Sequence, residues 1–138
     1  MLILWALGDK MERKAKKVLI VDDSGDDILL AKKILEKHGL TVVGAYNWME
    51  ALEYLDKGDI DLVLLDLSMP DMNGLDLLAI IRKERNFIEL PVVIYTATNN
   101  VDANDCAIRG SSAYVKKYGD PNTLVSKIEE MLALLEAA

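Results

Sequence analysis

The sequence has a single cysteine, Cys106, no excess of basic residues and no long apolar run. One thiol cannot form an intrachain disulfide, and this composition fits a reducing cytoplasm, which is the location we expect. The 16 Lys and Arg residues are outnumbered by 23 Asp and Glu residues, so the net charge is −7. Phosphate backbones are bound by Lys/Arg patches, so this balance disfavours nucleic acid as a partner. It favours a divalent cation or a basic protein surface.

The apolar run nearest the N-terminus covers only residues 2–7, which is too short to span a bilayer. We therefore expect no membrane partner. We also expect residues 1–16 to be an N-terminal extension, either disordered or added upstream of a natural start at Met11. Residues 17–138 have a length that suits one domain.

Short apolar runs alternate with amphipathic segments along this domain. The runs predict strands in residues 17–23, 40–46, 60–66, 91–97 and 112–117. Helices are predicted over residues 24–39, 47–58, 74–85, 101–110 and 120–138. Ser24, Asn47 and Asp120 stand where N-cap residues are expected.

This alternation predicts an α/β domain with a doubly wound parallel sheet covered by helices on both faces. The strand runs are continuously apolar, as expected when both faces of a sheet are buried. In such sheets the ligand crevice lies beyond the carboxyl ends of the strands, near the point where the strand order reverses.

Four of the five predicted strands end in polar residues at that edge. The first strand ends in Asp22 and Asp23, the third in Asp66, the fourth near Thr96, and the fifth in Lys116 and Lys117. Two like charges about 4 Å apart repel by about 1 kcal/mol in water and about 4 kcal/mol at an effective dielectric near 20. A hard divalent cation such as Mg²⁺ relieves that repulsion. With a lysine and a hydroxyl nearby, the central carboxylate could act as a nucleophile toward phosphorus.

Each of these residues taken alone has an ordinary structural explanation. An Asp after a strand commonly serves a turn or a helix cap, and a Thr in a strand reflects β-propensity. Paired lysines are common surface charge. The conjunction of compatible groups at four strand ends is what favours a phosphoryl site.

These residues resemble the receiver domain of two-component response regulators, in the single-domain form of chemotaxis regulators. The resemblance covers residues 17–136. Its most specific part is "LVLLDLSMPDMNGLDLL", which is similar to the family's phosphorylation-site strand and its MP-x-M-x-G turn. "VLIVDDSGDD", "PVVIYTA" and "GSSAYVKK" resemble the family's first, fourth and fifth strands.

The resemblance implies a flavodoxin-like receiver fold with strand order 2-1-3-4-5, five helices and a Mg²⁺ cofactor. The family's functional positions fall on Asp66 as phosphoacceptor and Mg²⁺ ligand, Asp23 as direct ligand, Asp22 as ligand through water, the Ser68 backbone carbonyl as ligand, Thr96 and Lys117 as phosphoryl-binding groups, and Tyr114 as the switch aromatic.

The same resemblance implies that a histidine kinase or histidine phosphotransfer protein donates the phosphoryl group. A downstream protein would bind the face formed by the fourth helix, fifth strand and fifth helix. The chain would be a monomer or weak dimer that binds no nucleic acid. It would be a signalling module rather than an enzyme, with self-catalysed phosphotransfer and dephosphorylation only.

Two other functions stay open at this point. A Mg²⁺-dependent aspartyl-phosphate phosphohydrolase on a similar sheet would usually carry an acid two residues after the nucleophile, where this chain has Ser68. A flavodoxin-like electron carrier would have a Ser/Thr/Gly-rich phosphate loop after the first strand, where this chain has the acidic "DDSGDD".

The chain departs from the family at Tyr118, because proline usually follows the site lysine. A cis peptide bond before a non-proline residue costs about 2.5–4 kcal/mol. We therefore expect a trans bond between Lys117 and Tyr118. We also expect Lys117, rather than Lys116, to reach Asp66.

Overall fold

The protein, seen in a computed structural model, is described over residues 15–99 and 101–137, where five strands alternate with five helices. The strands are β1 (Lys17–Val21), β2 (Thr41–Ala45), β3 (Leu62–Leu65), β4 (Val92–Thr96) and β5 (Ala113–Lys116). The helices are α1 (Gly25–Glu36), α2 (Trp48–Lys57), α3 (Gly74–Ala79), α4 (Ala103–Ile108) and α5 (Pro121–Ala137). Most of the predicted N-terminal extension lies outside the described residues. None of the described helices has the length and apolar character needed to cross a membrane.

The strands form one parallel sheet in the order β2-β1-β3-β4-β5, which confirms the predicted topology. The register aligns Val21 of β1 with Leu65 of β3, and Leu65 with Ile94 of β4. The residues that leave these three strands therefore emerge side by side at one edge of the sheet.

Both faces of the sheet are packed against helices. On one face, Leu19, Val63 and Leu65 contact a core cluster that includes Leu77 and Ile81 after β3. On the other face, a second cluster joins the alternate residues of the same strands to helices α1 and α5. All four residues of β3 and all five of β4 are buried, which explains why their sequences are apolar without alternation. The sheet is therefore a closely packed support for the residues at its edge.

The predicted helix starts are confirmed where side chains cap the backbone. The backbone N–H of Asp27 donates to the Ser24 hydroxyl at 3.2 Å, and that of Glu50 donates to Asn47 Oδ1 at 2.9 Å. Asp120 accepts from the backbone N–H of Asn122 at 2.9 Å. These bonds satisfy amide groups that the first turn of a helix leaves unpaired.

The third helix differs from its prediction. Residues 74–85 were expected to form one α-helix, but the α-helix ends at Ala79 and the chain continues as a π-helical turn over Ile80–Glu84. In this turn the Arg85 N–H donates to the Ile80 carbonyl at 3.0 Å. The guanidinium of Arg82 meanwhile donates to the carbonyls of three residues outside the helix, Phe87, Leu90 and Gly110. Apolar periodicity predicts which face of a helix is buried but not its hydrogen-bond register, so the widened turn could not be foreseen.

Candidate functional site

Asp66 is a buried acid directly after β3, with only 5% of its surface exposed. Its Oδ1 accepts from the Thr96 hydroxyl at 2.8 Å and from the Ser68 backbone N–H at 3.2 Å. Its Oδ2 accepts from the Lys117 ammonium at 3.3 Å. Three donors thus offset the desolvation of this carboxylate and fix its orientation.

Asp22 and Asp23 stand beside Asp66 because β1 and β3 are neighbours in the sheet. One carboxylate oxygen from each of the three acids lies within 4.8 Å of the others. Asp22 is buried, whereas Asp23 is exposed, so the acid cluster is open to solvent on the side of Asp23. A compact set of carboxylate oxygens of this kind fits a hard divalent cation such as Mg²⁺. The predicted role of the Ser68 carbonyl stays a prediction.

Lys117 extends from the end of β5 into this group of acids. Its Nζ lies 2.5 Å from Asp22, 2.9 Å from Asp27 and 3.3 Å from Asp66. Burial alone would lower the pKa of the ammonium, but the hydrogen bonds with Asp22 and Asp27 outweigh it and raise that pKa above its ordinary value. Lys117 is therefore positively charged at neutral pH. Lys116 is exposed and donates instead to Asn99 at 3.1 Å.

A short chain of hydroxyl groups links the ends of β3 and β4. Thr96 Oγ1 lies 3.1 Å from Thr98 Oγ1, which lies 2.6 Å from the hydroxyl of Ser68. Thr96 is wholly buried, whereas Ser68 and Thr98 are exposed. The hydroxyl that touches Asp66 is therefore connected to the protein surface by hydrogen bonds.

Tyr114 lies on β5, opposite Ile94 of β4. It is half-buried and packs against the core cluster beneath the α3 side of the sheet. Tyr114 stands two residues before the end of β5, and Lys117 follows directly after that end. The predicted role of Tyr114 as a switch aromatic stays a prediction.

The structure brings together Asp22, Asp23, Asp66, Thr96 and Lys117. It adds Asp27, which sequence reasoning missed: this residue lies in the predicted helix over residues 24–39, and its carboxylate contacts both Lys117 and the Tyr118 hydroxyl. The Asp27–Tyr118 contact joins positions 91 residues apart, and no local sequence pattern marks such a pair. The bond between Lys117 and Tyr118 is trans, as expected, but Tyr118 adopts a positive φ of 64°.

The fold and the site together define a class of protein. It is a doubly wound α/β domain with a buried aspartate at the centre of a crevice lined by carboxylates. The family model of the response regulator receiver domain matches residues 18–129. The chain belongs to the response regulator receiver domain family.

Individual relatives agree with this assignment. Chemotaxis protein CheY1 of Helicobacter pylori is 34% identical over 119 residues, which cover 84% of this chain and 96% of that protein. A CheY-like receiver domain protein from Methanospirillum hungatei has 31% identity and a TM-score of 0.80, and the match covers 89% of this chain and 98% of that structure.

Other relatives are longer proteins. Regulatory protein VanRc of Enterococcus gallinarum is 32% identical over 119 residues, which cover 86% of this chain and 50% of that protein. The CAI-1 autoinducer sensor kinase/phosphatase CqsS of Vibrio cholerae is 30% identical over 118 residues, which cover 84% of this chain and only 17% of that protein. The chain thus spans half or less of these two relatives.

Proposed function

We propose that this receiver domain accepts a phosphoryl group on Asp66 from a phosphohistidine of a partner histidine kinase or histidine phosphotransfer protein. The observation that carries the proposal is the environment of Asp66. This buried carboxylate is held by Thr96 and Lys117 and is bordered by two further acids within 4.8 Å. A nucleophile fixed in this way, with donors already beside it, suits attack on phosphorus.

In this phosphoryl transfer the nucleophile is the Asp66 carboxylate. One oxygen of Asp66 forms a bond to phosphorus while the bond from phosphorus to the donor imidazole nitrogen breaks, and the electron pair stays on that nitrogen. The product is an acyl phosphate on Asp66, and later attack by water releases inorganic phosphate. Asp22, Asp23 and Asp66 would hold Mg²⁺, which when bound supplies positive charge against the phosphoryl oxygens.

Thr96 and Lys117 contribute the protein's own donors. In the structure the Thr96 hydroxyl and the Lys117 ammonium both point to oxygens of Asp66. When Asp66 carries a phosphoryl group, each would donate to a phosphoryl oxygen in place of a carboxylate oxygen. Neither donor needs to enter from solvent, so little reorganisation is required.

We infer that the output surface is the face formed by α4, β5 and α5. Thr96 pairs with Lys116 in the β4–β5 register, so a shift of Thr96 toward a phosphoryl group acts directly on β5. Tyr114 and Lys116 lie on that strand, and the apolar side chain of Ile108 on neighbouring α4 is largely exposed. A downstream protein that binds there would respond to the state of Thr96 and Tyr114.

Labelling with a small phosphodonor tests the proposal. Incubation with acetyl phosphate and Mg²⁺ should add one phosphoryl group, measured by intact mass, and hydroxylamine should remove it. Asp66→Asn should abolish the label, because an amide is not a nucleophile toward phosphorus. Asp71→Asn, at an exposed acid in the same loop, is the control and should be labelled like the wild-type protein. Equal labelling of the Asp66→Asn protein would refute the assignment.

A further inference from the structure

The Lys117 ammonium has three N–H donors and three carboxylate neighbours. Two of these, Asp22 and Asp66, belong to the group of acids that fits a cation. The third, Asp27, lies outside that group, in the first turn of α1, yet it is closer to Lys117 Nζ (2.9 Å) than Asp66 is (3.3 Å). A cation bound by the acid cluster would therefore leave the Asp27 carboxylate available to pair with Lys117.

Tyr118 holds Asp27 from the other side. Its hydroxyl lies 3.0 Å from both carboxylate oxygens of Asp27, although 67% of the tyrosine surface is exposed. The positive φ of 64° at Tyr118 is unfavourable for a residue with a side chain, so compensating contacts are needed to maintain it. The hydrogen bond that the hydroxyl donates to the Asp27 carboxylate is such a contact, and it joins the residue after Lys117 to the start of α1.

The electrostatics agree with this arrangement. Burial would raise the pKa of Asp27, but the hydrogen bonds from Lys117 and Tyr118 lower it further than burial raises it. Asp27 is therefore a charged partner of Lys117 at neutral pH.

We propose that Asp27, held by the Tyr118 hydroxyl, is a positioning residue that anchors the Lys117 ammonium beside Asp66 for phosphoryl acceptance. A cation held by the acid cluster would weaken the attraction of Asp22 and Asp66 for Lys117. Asp27 keeps its charge and its contact, so the ammonium stays in the crevice with one N–H directed to the reacting group. This inference rests on the proposed function of Asp66.

Substitutions at both members of the pair test the proposal, each with a matched control. Asp27→Asn keeps the shape of the side chain and removes its charge, and Asp26→Asn removes the same charge from an exposed neighbour in the same helical turn. Tyr118→Phe removes one hydroxyl. Tyr46→Phe does so at another exposed tyrosine, whose hydroxyl makes no hydrogen bond to any described residue.

The first readout is the rate at which acetyl phosphate labels Asp66 at saturating Mg²⁺. We expect Asp27→Asn to slow labelling about tenfold, as is usual when a supporting partner of a site residue is lost. Tyr118→Phe should slow it roughly threefold, the effect of one ordinary hydrogen bond. Both controls should label at the wild-type rate. In a Lys117→Ala background, Asp27→Asn should have no further effect, because Asp27 acts through Lys117.

The second readout needs neither Mg²⁺ nor a phosphodonor. The ¹⁵N resonance of the Lys117 ammonium, slowed in exchange by its buried ion pairs, should shift or broaden in Asp27→Asn and Tyr118→Phe but not in the two controls. If wild-type protein labels at Asp66 while both test variants match their controls in labelling rate and ammonium resonance, the anchoring role is wrong. Slowed labelling by Asp27→Asn that persists in the Lys117→Ala background would also overturn it. Failure of the wild-type protein to label would instead refute the proposed function.

Discussion

Single residues in the crevice are governed by the cost of placing charge in a packed interior. Asp22, Asp66 and Lys117 are all buried at the edge of an apolar sheet. Each charged group there has a partner of opposite sign or a hydrogen-bond donor, and among the described residues no buried side-chain polar atom lacks a hydrogen bond. Asp23 differs because it is exposed and does not share the Lys117 ammonium. Asp23 is thus the acid of the cluster whose charge is least compensated by the protein.

Replacing Asp23 tests the proposed cation site at this scale. Asp23→Ala should weaken Mg²⁺ binding about tenfold or more, because it removes one of the three crowded carboxylates. Isothermal titration with Mg²⁺ measures the effect. The metal-free variant should be at least as stable as the wild-type protein in urea, since like-charge repulsion is reduced.

The control for this experiment is Asp26→Ala. It removes an equal charge from an exposed residue of α1 that does not belong to the cluster. Its Mg²⁺ affinity should match that of the wild-type protein. An unchanged Mg²⁺ titration of Asp23→Ala would show that this residue is not a ligand.

At the scale of elements, the turn from β3 to α3 fixes Asp66 as much as the strand does. Gly74 begins α3, and its N–H donates to the Leu67 carbonyl at 3.2 Å. A methyl group at this position would collide with the backbone carbonyl oxygen of Asp66 and the Cα of Leu67. Because both obstacles are backbone atoms, the helix start and the strand end cannot adjust independently. This close approach explains the glycine of the MP-x-M-x-G turn.

Gly74→Ala should therefore destabilise the fold by about 1–3 kcal/mol, the usual cost of overpacking. The midpoint of urea unfolding measures the change in stability. Labelling of Asp66 by acetyl phosphate should also slow, since the strand end that carries it must move.

A matched substitution is available at Gly25, which begins α1 as Gly74 begins α3. A methyl group there would meet only the Tyr46 ring, at an ordinary contact distance of 3.6 Å. Gly25→Ala should change stability by no more than about 0.5 kcal/mol. Equal unfolding midpoints for the two variants would show that the β3–α3 turn tolerates a side chain at Gly74.

At the scale of the whole molecule, a two-faced core supports the sheet and leaves the chemistry at one edge. Two clusters of buried side chains, one on each face, hold the central strands β1, β3 and β4. These are the strands that deliver Asp22, Asp66 and Thr96. The site therefore rests on the closely packed centre of the sheet, and we expect it to form without residues 1–10.

Deletion of residues 1–10 tests this independence. The shortened protein should be labelled at Asp66 at the unchanged rate, and its melting temperature should stay within about 2 °C of the full chain. Light scattering should find a monomer or weak dimer in both cases. A markedly lower melting temperature or a new oligomeric state would show that the apolar residues 2–7 pack against this domain.

The sequence by itself determined the class of the fold, the order of its elements and the acids that end its strands. These features follow from local patterns, namely apolar runs, capping residues and the resemblance around "LDLSMPDMNG", which act over short stretches of chain. Helix starts at Ser24 and Asn47 were predictable for the same reason.

Only the tertiary structure decided how the charges are shared. Lys117 divides its three donors among Asp22, Asp27 and Asp66, which are 95, 90 and 51 residues away along the chain. The π-helical turn after Ala79 likewise carries Arg82, whose guanidinium donates to the carbonyl of Gly110, 28 residues further along the chain. Such contacts arise when packing brings distant residues together, and the free energy of a buried charge depends on those neighbours rather than on local sequence.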